Sequence, residues 1–139
     1  MSESVEDSTL TELFFAVARR LRHLSRETLE PLDVSPSQAR ALMVLMRHSP
    51  RRPGAIAEHL RIAARSATEV VDDLQALGLV ERGPDPADRR ATLVSLTGAG
   101  RAAGERIRAA RQAESERFFE ALDPGDRAEL TRLLRKLRD

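Results

Sequence analysis

Apolar residues recur at helical spacing through most of the chain, and prolines and polar caps divide them into segments. Leu10, Leu13, Phe14, Val17, Leu21, Leu24 and Thr28 mark one face of a first helix, with Arg19, Arg20, Arg22 and Arg26 off that face. Thr9-Leu10-Thr11-Glu12 has the form of a capping box, and Pro31 ends the run. A second helix opens at Ser35-Pro36-Ser37-Gln38, a capping box with proline at its first position. Ala39, Leu42, Leu45 and Met46 form its inner face, and His48-Ser49-Pro50 stops it. Pro53 opens a short third helix with Ile56, Ala57 and Leu60 inward. A turn at Arg61-Ile62 leads to a fourth helix, Ala63 to Ala76, with Ala67, Val70, Val71, Leu74 and Leu77 as core positions and Gly78 as its stop.

The period then changes. Leu79-Val80-Glu81-Arg82 reads as a strand, Gly83-Pro84-Asp85-Pro86-Ala87-Asp88 as a turn, and Ala91 to Leu96 as a second strand with Ala91 and Leu93 on one face. A long helix is expected from Gly98 to Leu122, striped by Ala99, Ala103, Ile107, Ala110, Phe118 and Leu122. Asp123-Pro124 caps a last helix with Leu130, Leu133, Leu134 and Leu137 on its apolar face. The pattern predicts a mainly α fold with one small β-hairpin.

Composition narrows this reading. At 139 residues, the chain suits a single domain with one core. With no cysteine it has neither disulfides nor a thiolate metal site. The stretch Met1 to Ser8 is acidic and polar, so no secretory signal is expected, and no apolar run nears the ~20 residues of a membrane span. A cytoplasmic protein away from membranes is expected. The net charge of +1 does not by itself argue for a nucleic-acid partner. Between positions 51 and 92, Arg51, Arg52, Arg61, Arg65, Arg82, Arg89 and Arg90 face Glu58, Glu69, Asp72, Asp73, Glu81, Asp85 and Asp88. A DNA-binding surface would therefore require these charges to separate in space. Lys136 is the only lysine, a bias that fits a GC-rich genome and also suits bidentate phosphate and base contacts.

Two helices joined by the short Arg61-Ile62 turn have helix-turn-helix form, in which the second helix enters the major groove. Its outward residues near the N-terminus are Arg65, Ser66, Thr68 and Glu69, opposite Ala67, Val70 and Val71. Arginine can take guanine bidentately, and hydroxyls can reach phosphates or bases; the same four residues also fit a plain solvated face. A hairpin directly after this helix is a wing. Arg89 and Arg90, expected at the end of a proline-bounded turn, can reach the minor groove, and Asp88 can orient a guanidinium or cap the turn. An ordinary charged hairpin tip would have the same composition.

Gly78-Leu79-Val80-Glu81-Arg82, Asp85, Asp88-Arg89-Arg90-Ala91, and Leu96-Thr97 with Gly100 together resemble the signature of the MarR family. The element order from Leu10 to Leu137 is similar as well. The resemblance implies one domain over 1–139, with a winged helix-turn-helix at 33–97 and dimerisation helices at 10–30 and 98–138. It also implies Arg90 as the minor-groove arginine with Asp88 as its orienting partner, and Arg65, Ser66 and Thr68 in the reading part of the fourth helix. Two departures stand out. Ala63 sits where family members often place a side-chain cap, a difference of ~1 kcal/mol in local stability. Asp73 stands where many carry a basic residue, and Asp72 and Asp73 are expected to point toward the wing or solvent.

A homodimer is expected on physical grounds too, because the stripes of the terminal helices exceed what one small core can cover. An enzyme is not expected. His23, His48 and His59 have no nucleophile, carboxylate or metal partner at a recognised spacing, apart from His23 and Glu27, which read as a local helix pair. No cofactor is expected. A winged helix used only for protein contact is a further reading, but one with no need for the wing arginine pair. The family resemblance implies a small aromatic or phenolic effector between the dimerisation helices and the winged helix; apolar residues of the first two helices and the start of the fifth can line such a cleft, and the same residues also explain a plain core.

Overall fold

The computed structural model describes residues 8–138. Most of the acidic N-terminal stretch, and with it the expectation of no secretory signal, lies outside the described residues. The element order is α1 (Leu10–Leu29), a short 3-10 turn (Glu30–Leu32), α2 (Pro36–His48), α3 (Pro53–Leu60), α4 (Ala64–Ala76), β1 (Val80–Asp85), β2 (Asp88–Leu96), α5 (Gly98–Phe118) and α6 (Pro124–Arg138). Local chemistry sets the helix starts. Reciprocal capping boxes form at Thr9 with Glu12 and at Ser35 with Gln38. Asp123 accepts the Asp126 N–H at 2.8 Å at the head of α6. Ala63 makes no side-chain cap at the start of α4.

The core lies between α2, α3, α4, the hairpin and the first half of α5. Leu42, Leu45, Ile56, Val71, Leu74, Val80, Val94 and Ile107 are fully buried there, with Leu29 at the end of α1. The expected inner faces of α2 and α3 are found, with Met46 only partly buried. In α4 Ala67, Val71 and Leu74 are buried, whereas Leu77 is 54% exposed. Leu77 is the C-cap residue, and the turn into Gly78 (φ 75°) carries it off the helix face.

The hairpin is longer and its turn tighter than expected. Residues 83–85 belong to β1 and 88–90 to β2, leaving only Pro86-Ala87 as the turn. Pro84 is tolerated because a two-stranded sheet has only edge strands. Val94 and Leu96 supply the buried face of β2, while Ala91 and Leu93 are half-buried on the other. Arg51 adds a short third edge by exchanging backbone bonds with Val94 at 3.0 and 2.8 Å.

Helix α5 ends at Phe118, four residues before the expected Leu122, because Phe119 turns the chain toward the cap of α6. Its buried stripe is Gly100, Ala103, Gly104, Ile107 and Glu114, and Ala99 faces out. Gly100 is required by close approach, since a Cβ there would lie 1.9 Å from the Leu79 carbonyl oxygen. Thr97 closes the same junction: its hydroxyl donates to the Gly78 carbonyl at 2.6 Å and accepts the Gly100 N–H at 3.0 Å. The Leu-Thr and following glycine of the sequence pattern thus weld the root of the hairpin to α5.

The terminal helices are poorly covered. Helix α1 buries only Leu29 and α6 buries no residue. Leu13, Phe14, Phe15 and Val17 of α1 are 43–54% exposed, and Leu133 and Leu134 of α6 are 43% and 39% exposed. Where α1 meets α5, the Ser25 hydroxyl donates to Glu114 at 2.7 Å and the Arg20 guanidinium lies 5.5 Å from the Phe118 ring centre.

Candidate nucleic-acid interface

Burying Ala67, Val71 and Leu74 against the core turns the opposite side of α4 outward. Arg65, Ser66, Thr68 and Glu69 are all exposed on that side. Arg65 forms no hydrogen bond or ion pair among the described residues, so its five donors are available to a base edge or a phosphate. Thr68 donates its hydroxyl to the Ala64 carbonyl at 3.0 Å, leaving its oxygen as an acceptor. The uncapped first turn of α4 leaves backbone N–H groups and the positive end of the helix dipole beside Arg65, a combination that favours an anion.

The wing supplies the second group. In the ladder Pro84 pairs with Thr92 and the next residue, Asp85, with Asp88, so Arg89, Arg90 and Ala91 form a bulge with no partner on β1. Such bulges bend a strand and re-aim its side chains. Arg89 and Arg90 therefore leave the hairpin from β2 and not from the turn itself, and both are exposed. Asp88 accepts the Arg90 backbone N–H at 3.0 Å. It fixes the main chain of Arg90, and neither wing guanidinium is paired among the described residues.

Sequence reasoning missed the strut behind this wing. Asp85, only 7% exposed, accepts Arg52 Nε at 2.9 Å and Nη2 at 2.6 Å, and its other oxygen accepts the Ala87 N–H at 2.9 Å. The Ala87 N–H and then the Arg52 guanidinium hold the Asp85 carboxyl below its usual range. One carboxylate thus closes the turn and ties the wing to the segment preceding α3. The proximity of Asp85 to Pro86 was visible in the sequence, but its bond to a residue 33 positions away was not.

Ion pairing engages two of the seven carboxylates between positions 51 and 92. Asp72 points to the wing, as expected, and accepts Arg82 Nη2 at 2.6 Å, while Arg82 also donates to Gln75. Asp72 and Asp85 are therefore engaged by Arg82 and Arg52, while Arg65, Arg89 and Arg90 stay free. His23 and Glu27 form an exposed i,i+4 pair at 3.0 Å, and no cluster of three metal-ligating side chains occurs among the described residues. No helix among them is long and apolar enough to cross a membrane.

A helix-turn-helix with an outward polar reading face, followed by an arginine-bearing hairpin, defines the winged helix-turn-helix class. The MarR family model matches residues 32–91, the segment holding both groups of candidate residues. An HTH-type transcriptional regulator of Mycobacterium bovis is 38% identical over 120 residues, covering 86% of this chain and 80% of the relative. A crystal structure of a mutant MarR from Escherichia coli complexed with operator DNA superposes with a TM-score of 0.81 at 29% identity, covering 92% of each chain. BpsR of Bordetella bronchiseptica, solved in a study of the regulation of its DNA binding by 6-hydroxynicotinic acid, gives 0.82 at 25% identity, covering 98% of this chain and 97% of that one. The chain belongs to the MarR family of transcriptional regulators. The family and these relatives are regulators, not enzymes.

Proposed function

We propose that this regulator binds double-stranded DNA sequence-specifically as a homodimer, in the cytoplasm, and represses from a pseudo-palindromic operator. The observation that carries the reading is the pairing of two outward, unpaired cationic groups: Arg65 on α4, beside Ser66, Thr68 and Glu69, and Arg89 with Arg90 on the wing bulge. The helix reads base edges in the major groove. The wing, with Asp88 fixing its main chain, enters the neighbouring minor groove. Residues 33–97 form the reading head, and 10–30 with 98–138 form the dimerisation helices. The half-exposed apolar stripes of α1 and α6 support the dimer, with Leu13, Phe14 and Leu134 in the interface. The operator complex of the Escherichia coli relative supports the DNA target, and BpsR supports release by a small aromatic or phenolic effector.

Gel shifts of the purified protein on fragments of its own genome, with excess random duplex as competitor, test the function. A few fragments retained against competitor are expected, shifted by a dimer. Uniform retention of all fragments, or of none, would contradict sequence-specific regulation.

A further inference from the structure

A cleft rich in arginine opens where the winged helix-turn-helix meets α5. It lies between α2, α3 and the middle of α5, has a volume of about 730 Å³, and includes no residue of α1. Ligand sites typically span ~300–1,000 Å³, so the size fits a small molecule. Its walls carry four guanidiniums, Arg40 and Arg47 from α2 and Arg108 and Arg111 from α5, and no carboxylate among the described residues lines it. Arg47 and Arg111 have no hydrogen-bond or ion-pair partner among those residues. Arg108 has only an exposed, 3.4 Å contact with Glu105. At one end His48 and His59 stack with ring centres 5.2 Å apart and planes at 14°, adding ring N–H donors beside a flat wall.

We propose that this cleft binds a small molecule carrying two or more anionic groups, a polycarboxylate or a phosphate compound. Four like charges converging on one concavity repel one another, and one bound polyanion relieves the repulsion at several guanidiniums together. The planar forks of Arg47 and Arg111 suit bidentate contact with carboxylate or phosphate oxygens. A phenol or a monocarboxylate would satisfy one of the four. The cleft also reaches the reading head, since Arg40 Nη2 donates at 2.7 Å to the carbonyl of Leu60, the last residue of α3. Only Arg61, in the left-handed conformation at φ 54°, Ile62 and Ala63 separate that carbonyl from α4. An anion that draws Arg40 into the cleft removes this donor and loosens the approach to α4. This regulatory consequence rests on the DNA-binding reading; the binding itself does not.

The test is calorimetric titration of the full chain without DNA, using citrate, pyrophosphate and benzoate at constant ionic strength. Citrate or pyrophosphate should saturate at one per protomer, and which of them binds tighter separates the carboxylate from the phosphate source. Benzoate should bind at least ~10-fold more weakly, and the double variant Arg47→Gln/Arg111→Gln should lose at least ~10-fold in affinity for the polyanion. These side chains make no internal bonds and their removal relieves like-charge repulsion, so the variant's melting temperature should equal or exceed wild type, and Arg47→Lys/Arg111→Lys should recover part of the affinity. Absence of saturable binding, equal affinity for benzoate, or binding indifferent to the double variant would overturn the proposal. So would a loss of affinity for random duplex in the double variant, because the guanidiniums would then serve DNA phosphates. Calorimetric binding by a protein that fails the gel shift would leave the cleft standing and remove the DNA reading alone.

Discussion

Replacing Gly100 with alanine probes the junction that joins the wing root to α5. The added Cβ would lie 1.9 Å from the Leu79 carbonyl oxygen and 2.9 Å from its carbonyl carbon, with a Leu96 methyl at 3.1 Å. Both Leu79 atoms are main chain, so no side-chain rotation relieves the clash. The backbone must separate by roughly 1 Å, an overpacking strain of about 2 kcal/mol. That movement stretches the bonds converging here: Thr97 N–H to Leu79 O at 3.1 Å, the Thr97 hydroxyl to Gly78 O, and Gly100 N–H to the Thr97 hydroxyl. Losing two of them removes about 2 kcal/mol. Alanine's better helix propensity returns about 1 kcal/mol. The expected net loss is about 3 kcal/mol. Two other glycines of α5 serve as controls. A Cβ at Gly98 meets nothing within 4 Å, so Gly98→Ala should stay within ~0.5 kcal/mol of wild type. A Cβ at Gly104 meets only the Met46 side chain, at 2.6 Å from Sδ, and the flexible thioether can swing aside for ~1 kcal/mol or less. The same gain in helix propensity offsets that cost, so urea unfolding at one fixed protomer concentration should put Gly98→Ala and Gly104→Ala both close to wild type and Gly100→Ala well below them. A Gly100→Ala protein as stable as Gly98→Ala would refute the junction.

Arg65→Ala should weaken specific binding by ~1–3 kcal/mol and relax one base-pair preference in each half-site, with little change in melting temperature; loss of folding instead would show that the outward face of α4 is misassigned. Arg90→Ala should lower affinity for operator and random duplex by similar factors and reduce the slope of log K against log salt by ~1, with Asp88→Ala giving a milder loss. A large loss on Arg89→Ala with none on Arg90→Ala would move the contact one residue along the bulge. Asp85→Asn should lower the melting temperature at neutral pH. Because folding depresses the Asp85 pKa, its stabilisation is present above the ordinary carboxylate value of 3.8 and fades as pH falls through the lowered folded value, so wild-type and variant melting curves should converge on acidification. A gap independent of pH would show that the carboxylate charge is not what anchors the wing.

The features legible in the sequence were those written locally. Capping boxes at Thr9 and Ser35, prolines at the starts of α2, α3 and α6, and Gly78 after α4 each act within a few residues, and each lies where the spacing predicted. The stripes of α1 and α6 were legible as surfaces in search of cover, since periodicity marks a face whether or not a neighbour fills it. The wing was blurred because Gly83, Pro84, Asp85 and Pro86 all resemble turn residues, while the ladder continues through the first three. The buried stripe of α5 was displaced from Ala99 to Gly100 and Gly104 because a search for apolar side chains passes over glycine. The Arg52–Asp85 strut and the four-arginine cleft join residues far apart in sequence, so only the fold brings them together.

The proposed two-fold dimer would read DNA with α4 and the wing. Selection of bound duplexes from a random library by the purified protein, followed by sequencing, tests it most directly. One inverted-repeat motif should be enriched, with half-sites about one helical turn, or ~34 Å, apart, and preference should be lost at one position per half-site when Arg65→Ala is selected in parallel. A selected pool no different from the starting library, or a motif without two-fold symmetry, would contradict this reading.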